Sequence, residues 1–145
     1  MTMTEDCCTS NNNMMMLACS GASNVGQLAN QAAVELTQEG RGKMFCLAGI
    51  GGQLSGFVQS AKDVPLLVAI DGCEVGCAKA ILDNAQVPLR HYLVLTEEGI
   101  EKNKNFNLEP SDIERVKMAI KRVTNLAGNG PTPPAAGGCA CSNCG

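Results

Sequence analysis

The chain has no tryptophan, one tyrosine and three phenylalanines among its 145 residues. Its core must therefore be aliphatic, and the aromatic faces on which nucleic-acid bases stack are scarce. Charged residues make up only 17% and the formal net charge is −3, with no basic patch. Nucleic acid is accordingly excluded as a partner. No lysine or arginine precedes Arg41, whereas a secretory leader opens on a basic region. Met16-Leu17-Ala18-Cys19 has the outline of a lipoprotein cleavage box, but the stretch before it carries Glu5 and Asp6 and turns apolar only at Met14. No stretch approaches the roughly 18 consecutive apolar residues of a membrane span. These absences predict a soluble, cytoplasmic protein with no membrane partner. The single histidine, His91, reads as a surface or core residue rather than a ligand.

Cysteine is abundant instead. There are nine, at positions 7, 8, 19, 46, 73, 77, 139, 141 and 144. An odd number in a chain without a leader argues against a disulfide framework. In a reducing compartment so many thiols point to metal or redox chemistry.

Residues 1–13 are polar and predict a disordered tail that holds Cys7 and Cys8. The next 114 or so residues alternate strand and helix signals. Residues 14–18 form a short apolar run that suits a strand buried on both faces. Val25, Leu28, Ala29, Ala32, Ala33 and Leu36 follow at helical spacing, with Ser23 or Asn24 as cap and Gly40 as stop. A second strand is expected over 43–48, with Cys46 inside it, then a turn at Gly49-Ile50-Gly51-Gly52 and a short helix carrying Leu54, Phe57, Val58 and Ala61. A third strand is expected over 64–70 and a fourth over 91–96. Between them lies a helix beginning at Cys73. Residues 97–107 form a polar connection of the length that is often functional or mobile. Ser111-Asp112-Ile113-Glu114 has the form of a capping box, and Ile113, Val116, Ile120, Val123 and Ala127 make the buried stripe of the last helix. Residues 128–138 are rich in Gly, Pro and Ala and read as a linker to the Cys-rich end.

This alternation predicts an α/β three-layer sandwich with a mostly parallel sheet of about four strands, Rossmann-like or flavodoxin-like. Ligands of such sheets bind beyond the carboxyl ends of the strands. Cys19 falls at one such end and Cys73 at another, directly after Asp71-Gly72. If the helix begins at Cys73, Cys77 lies four residues on and shares its face. A helix N-terminus favours a thiolate over a thiol, and a thiolate is both a soft-metal ligand and a sulfur nucleophile. Cys19, Cys46, Cys73 and Cys77 are thus candidates for one Cys₄ site, suited to zinc or to an iron–sulfur cluster. The bland alternative is that Cys19 and Cys46 are small buried hydrophobes, as free cysteines often are. Asp71 is expected to shape the turn or bond the helix amides, with a supporting role behind the ligands as the further option.

The loop Ala18-Cys19-Ser20-Gly21, the run from Met44 to Gly51, and Ala69-Ile70-Asp71-Gly72-Cys73 followed by Cys77 together resemble the DGC-domain family of bacteria and archaea, which takes its name from the motif standing here at 71–73. The resemblance covers about residues 14–125. It implies a zinc-binding protein with Cys19, Cys46, Cys73 and Cys77 as the ligands. It implies nothing for the cysteines of either end.

Cys139, Cys141 and Cys144 form a C-x-C-x₂-C group behind the linker. Closely spaced thiols on a flexible arm suit the transfer of a soft metal or of sulfur to a thiol-bearing protein acceptor. Cys7 and Cys8 could add a ligand but cannot close a site alone. Two other chemistries lack a part. A phosphatase loop of the low-molecular-weight type puts an arginine six residues after its cysteine, but position 25 is valine. Gly49-Ile50-Gly51-Gly52 falls short of the dinucleotide-binding pattern. The reading is a metal-thiolate protein, with a thiol-redox or sulfur-relay enzyme using Cys73 and Cys77 as one alternative and an iron–sulfur carrier as another.

Overall fold

A computed structural model describes residues 14–125. Both Cys-bearing ends, residues 1–13 and 126–145, lie outside the described residues, and with them the tail and linker expectations and Ala127 of the last helix.

Strand β1 (Met14–Ala18) is central and buried along its whole length. Met14, Met16 and Ala18 face one apolar layer, and Met15 and Leu17 face the other. A run of five apolar residues is what a strand covered on both faces requires. The chain then forms α1 (Asn24–Gln38), β2 (Lys43–Met44), α2 (Leu47–Gly51), α3 (Ser55–Asp63), β3 (Leu66–Asp71), α4 (Cys77–Asn84), β4 (His91–Val94) and α5 (Pro110–Asn125), with a short 3₁₀ turn at Leu95–Glu98. The sheet is parallel throughout, in the order β2-β1-β3-β4. That is the flavodoxin-like order without its fifth strand, and its switch point lies between β1 and β3.

Helices α1 and α5 cover one face, burying Leu28, Ala32, Leu36, Val116 and Ile120 against Met16, Val68 and Ile70. Helices α2, α3 and α4 cover the other, with Leu47, Ile50, Ala61 and Leu82 against Leu17, Leu67 and Ala69. No described helix is long and apolar enough to cross a membrane.

Four local expectations are corrected. The second strand ends at Met44, because the Phe45 amide makes the last bond to the β1 carbonyl of Met16, at 2.9 Å. Cys46 is then the N-cap of α2, its carbonyl accepting from Gly49 and Ile50, so it stands beyond the strand rather than within it. The segment 49–52 is mostly helix, not turn. Its glycine at 49 is where the Phe57 ring packs; a Cβ there would lie 2.8 Å from that ring.

The helix after β3 begins at Cys77, not Cys73. Gly76 adopts φ +70, a left-handed conformation that interrupts any helix. The two Asp71 carboxylate oxygens accept from the amides of Ala78 (2.8 Å) and Lys79 (3.1 Å), and this fixes the first turn where it is. The expected role for Asp71 at the helix amides is therefore seen, while the shared helical face of Cys73 and Cys77 is not.

The capping box at 111–114 does not form. The helix starts at Pro110, whose missing N–H costs nothing at a first helical position. Glu109 supplies the carbonyl for the amides of Asp112 and Ile113. Glu114 instead pairs with Lys117 at 2.9 Å. Lys117 is almost fully buried between α1 and α5, and also pairs with Glu39 and, at 3.5 Å, with Glu35.

Candidate functional site: a thiol cleft at the switch point

The loop after β1 and the loop after β3 touch at the carboxyl edge of the sheet. The Cys19 amide donates to Ile70 O at 3.0 Å, continuing the pairing one residue past β1. The Gly72 amide donates to Cys19 Sγ at 3.4 Å. The backbones are so close that side chains are excluded. A Cβ on Gly72 would sit 2.7 Å from Gly26 N, and one on Gly26 would sit 2.5 Å from Gly21 O. Ser20 takes φ +51, and its carbonyl and that of Gly21 both accept from the Gln27 side chain of α1. Ser23 caps α1 by accepting from Gly26 N. These contacts hold the Cys19 loop in one shape.

Cys19, Cys73 and Cys77 line one cleft of about 250 Å³, together with Gly21, Asp71 and two lysines, Lys102 and Lys104. Cys46 lies on a neighbouring cleft, which Cys19 also lines along with Phe45 and Ile81. Cys19 and Cys73 are half-buried, Cys46 and Cys77 are exposed, and all four are free thiols. Among the described residues no three His, Cys, Asp or Glu side chains gather closely enough to hold a metal ion. Three predicted thiols thus share a cleft, the fourth is next door, and Cys19 belongs to both. Cys7, Cys8, Cys139, Cys141 and Cys144 lie outside the described residues.

Burial pushes the Cys19 thiol above its ordinary pKa. The amides of Gly72 and Gly21 pull it back without cancelling the effect. Asp71 is buried beneath the cleft, and besides its two helix amides it accepts from Tyr92 Oη at 2.7 Å. Burial and this bond push the Tyr92 phenol up.

Three residues around the site, and the long-range role of a fourth, escaped the sequence reading. Tyr92 reaches Asp71 from β4. Lys102 donates to Cys73 Sγ at 3.3 Å. Lys104 donates to the Ala22 carbonyl. Asn24, buried in the first turn of α1, ties down the segment that carries both lysines. The polar stretch 97–107 stands out as a loop with work to do, but nothing local pairs Asn24 with Glu101 and Asn103, roughly eighty positions on.

A parallel α/β domain of flavodoxin-like strand order, with a thiol-lined cleft at its switch point, is the class that fold and site define. Within it, the DGC domain family matches residues 15–120, and the chain belongs to that family. The chain is also similar to the anaerobic and virulence modulator AnvM of Pseudomonas aeruginosa, with 35% identity over 114 residues, covering 79% of this chain and 87% of that protein. No solved structure matches.

Proposed function

We propose that the chain binds a soft metal ion through cysteine thiolates, zinc first, with Cys19, Cys46, Cys73 and Cys77 as ligands. The observation that carries this reading is the place of Cys19, shared between the cleft of Cys73 and Cys77 and the cleft of Cys46. The donors are all sulfur, which suits zinc or an iron–sulfur cluster and ill suits magnesium or calcium. The one carboxylate lining the Cys73 cleft, Asp71, is committed to Ala78, Lys79 and Tyr92, so it supports the ligands from behind rather than joining them. With Zn–S near 2.3 Å, the four sulfurs must draw together, so the site closes on binding. Cys73, half-buried in the loop ahead of α4, is one of the thiols that must move.

In this reading the ion is held for structure or passed to a thiol-bearing protein, with Cys139, Cys141 and Cys144, and Cys7 and Cys8, as auxiliary thiols. A reducing compartment such as the cytoplasm suits it, since free thiols persist there. AnvM is named as a modulator, and a binding role accords with that.

A second reading is favoured by one contact. Lys102 Nζ sits 3.3 Å from Cys73 Sγ, and a cation beside a partly exposed thiol is the environment of a reactive cysteine. Here Cys73 is a nucleophile and Cys77 its neighbour in a thiol-redox or sulfur-relay reaction.

Element analysis and an absorption spectrum of protein purified without oxygen separate the readings. Colourless protein with about one zinc, lost in Cys73→Ser and kept in Cys141→Ser, is the expected result. Brown protein would replace zinc by an iron–sulfur cluster. Metal-free protein in which Cys73 alkylates fastest would favour the second reading, and full metal retention in Cys73→Ser would remove the site.

A further inference from the structure

The segment between Gly99 and α5 supplies a wall of the cleft that the metal reading leaves unused. It carries Lys102 and Lys104 to the thiols. Their position is built into the fold. Asn24, only 8% exposed, donates from Nδ2 to Glu101 O at 2.8 Å and accepts at Oδ1 from Asn103 N at 2.6 Å. Its own amide donates to Asn103 O at 3.0 Å. Three bonds from one buried residue thus flank Lys102. Lys104 is anchored on the Ala22 carbonyl, and Lys102 faces Cys73.

Against these two ammonium groups the cleft lining offers one carboxylate, Asp71, and both of its oxygens already accept hydrogen bonds. The cleft therefore presents two cations and three thiols with no free acid. Val25 leaves the Cys19 loop without the cation a phosphatase loop would carry, and the distant segment brings two instead. At about 250 Å³ the space lies below the roughly 300–1,000 Å³ of pockets for drug-sized ligands. A small anion suits it and a nucleotide does not.

We infer that this cleft selects a small oxyanion carrying a transferable sulfur, of the thiosulfate class, and turns its outer sulfur toward Cys73. The inference rests on the second reading above, in which Cys73 is a nucleophile. Lys102 and Lys104 hold the sulfonate oxygens. The Cys73 thiolate, its proton gone to water, gives an electron pair to the outer sulfur. The new Sγ–S bond forms as the S–S bond of thiosulfate breaks, and sulfite leaves with that bond's electron pair. The outer sulfur stays on Cys73 as a persulfide. The thiol sulfur is oxidised and the sulfonate sulfur is reduced to sulfite, so no further oxidant or reductant enters.

The test uses the full chain, reduced and freed of metal, with modification of Cys73 read by peptide mass. Iodoacetate, an anion, and iodoacetamide, its neutral counterpart, are compared as a rate ratio, against the same ratio for free cysteine. The protein's ratio should exceed that of free cysteine by about tenfold, the order that one or two charge-assisted hydrogen bonds supply. Lys102→Met with Lys104→Met should return it to the free-cysteine value, and Lys102→Arg should retain it. A variant that only dulls the thiol or loosens the fold slows both reagents and leaves the ratio unmoved. Thiosulfate should add one sulfur atom to Cys73 with one sulfite released, and the double variant should lose this. A ratio equal to that of free cysteine, or a raised ratio without a sulfur adduct, overturns the inference while leaving Cys73 a nucleophile. Failure of both alkylating reagents at Cys73 overturns the second reading and the inference with it.

Discussion

Asp71 and Tyr92 form a pair beneath the thiols, and Tyr92 is the only tyrosine in the chain. Its titration can therefore be read without assignment. Burial first, and the bond to Asp71 second, push the phenol above its ordinary value of 10. The fold thus favours the neutral phenol. Its contribution is fully present below pH 10 and is lost as pH rises through the folded-state value. Phenolate absorbance in the native protein should stay absent when pH passes 10, and should appear near 10 once urea has unfolded it. Tyr92→Phe should cost about 2 kcal/mol, the net value of a hydrogen bond to a carboxylate, and should speed alkylation of Cys77 by loosening the first turn of α4. A native phenol that titrates at its ordinary value would mean the Asp71 bond is not made in solution.

At the scale of elements, α1 and α5 are joined by Lys117, whose ammonium meets Glu39, Glu114 and Glu35. The bond from Lys117 holds the Glu39 carboxyl below its ordinary 4.5. A depressed folded-state value stabilises the protein above the unfolded value, and this is lost as pH falls through the folded one. The wild type should lose stability on acidification below about pH 4.5 more steeply than Glu39→Gln, in urea midpoints taken across that window. Equal slopes would show that the pair is screened by solvent.

Lys117 also shows where sequence reading stops among the elements. Strand β1 and helix α1 are legible because their periods are strong and their burial is one-sided or complete. That Cys19 and Cys73 are neighbours is legible because each follows the end of an adjacent parallel strand. The break before Cys77 is not, since it rests on a left-handed Gly76 and on Asp71 reaching across to the Ala78 and Lys79 amides. Nor is the short β2, where a single bond from Phe45 to Met16 decides that Cys46 leaves the strand. Lys117 reads as a polar gap in an apolar stripe, and its partners on α1 are some eighty residues away. For β2 and Lys117 a contact distant in sequence overrides the local pattern, and before Cys77 a left-handed glycine and a side chain seven residues back do so.

Across the whole molecule, the proposed transfer from Cys139, Cys141 and Cys144 has a distance to cover. Ser23, at the head of α1, lines the thiol cleft, while Glu39 caps the other end of that helix. Lys121 of α5 lies 3.8 Å from Glu39. The last helix has therefore reached the end of α1 remote from the cleft, about 22 Å away for fifteen residues at 1.5 Å each. Thirteen residues separate Asn125 from Cys139, and at full extension thirteen residues cover at most about 45 Å. Chain length therefore permits the reach. Deleting residues 129–145 should leave the thermal midpoint and core metal unchanged and slow metal transfer to an acceptor thiol severalfold. Transfer at the full-length rate would make the tail inert in this role.

In the proposed site Cys19, Cys46, Cys73 and Cys77 close around one soft ion. X-ray absorption at the zinc edge of the metal-loaded full chain reads that shell directly. The expected first shell is sulfur alone near 2.3 Å, losing one sulfur in Cys46→Ser and unchanged in Cys141→Ser. A shell of nitrogen or oxygen, or a sulfur shell that survives Cys46→Ser and fails in Cys141→Ser, would contradict it.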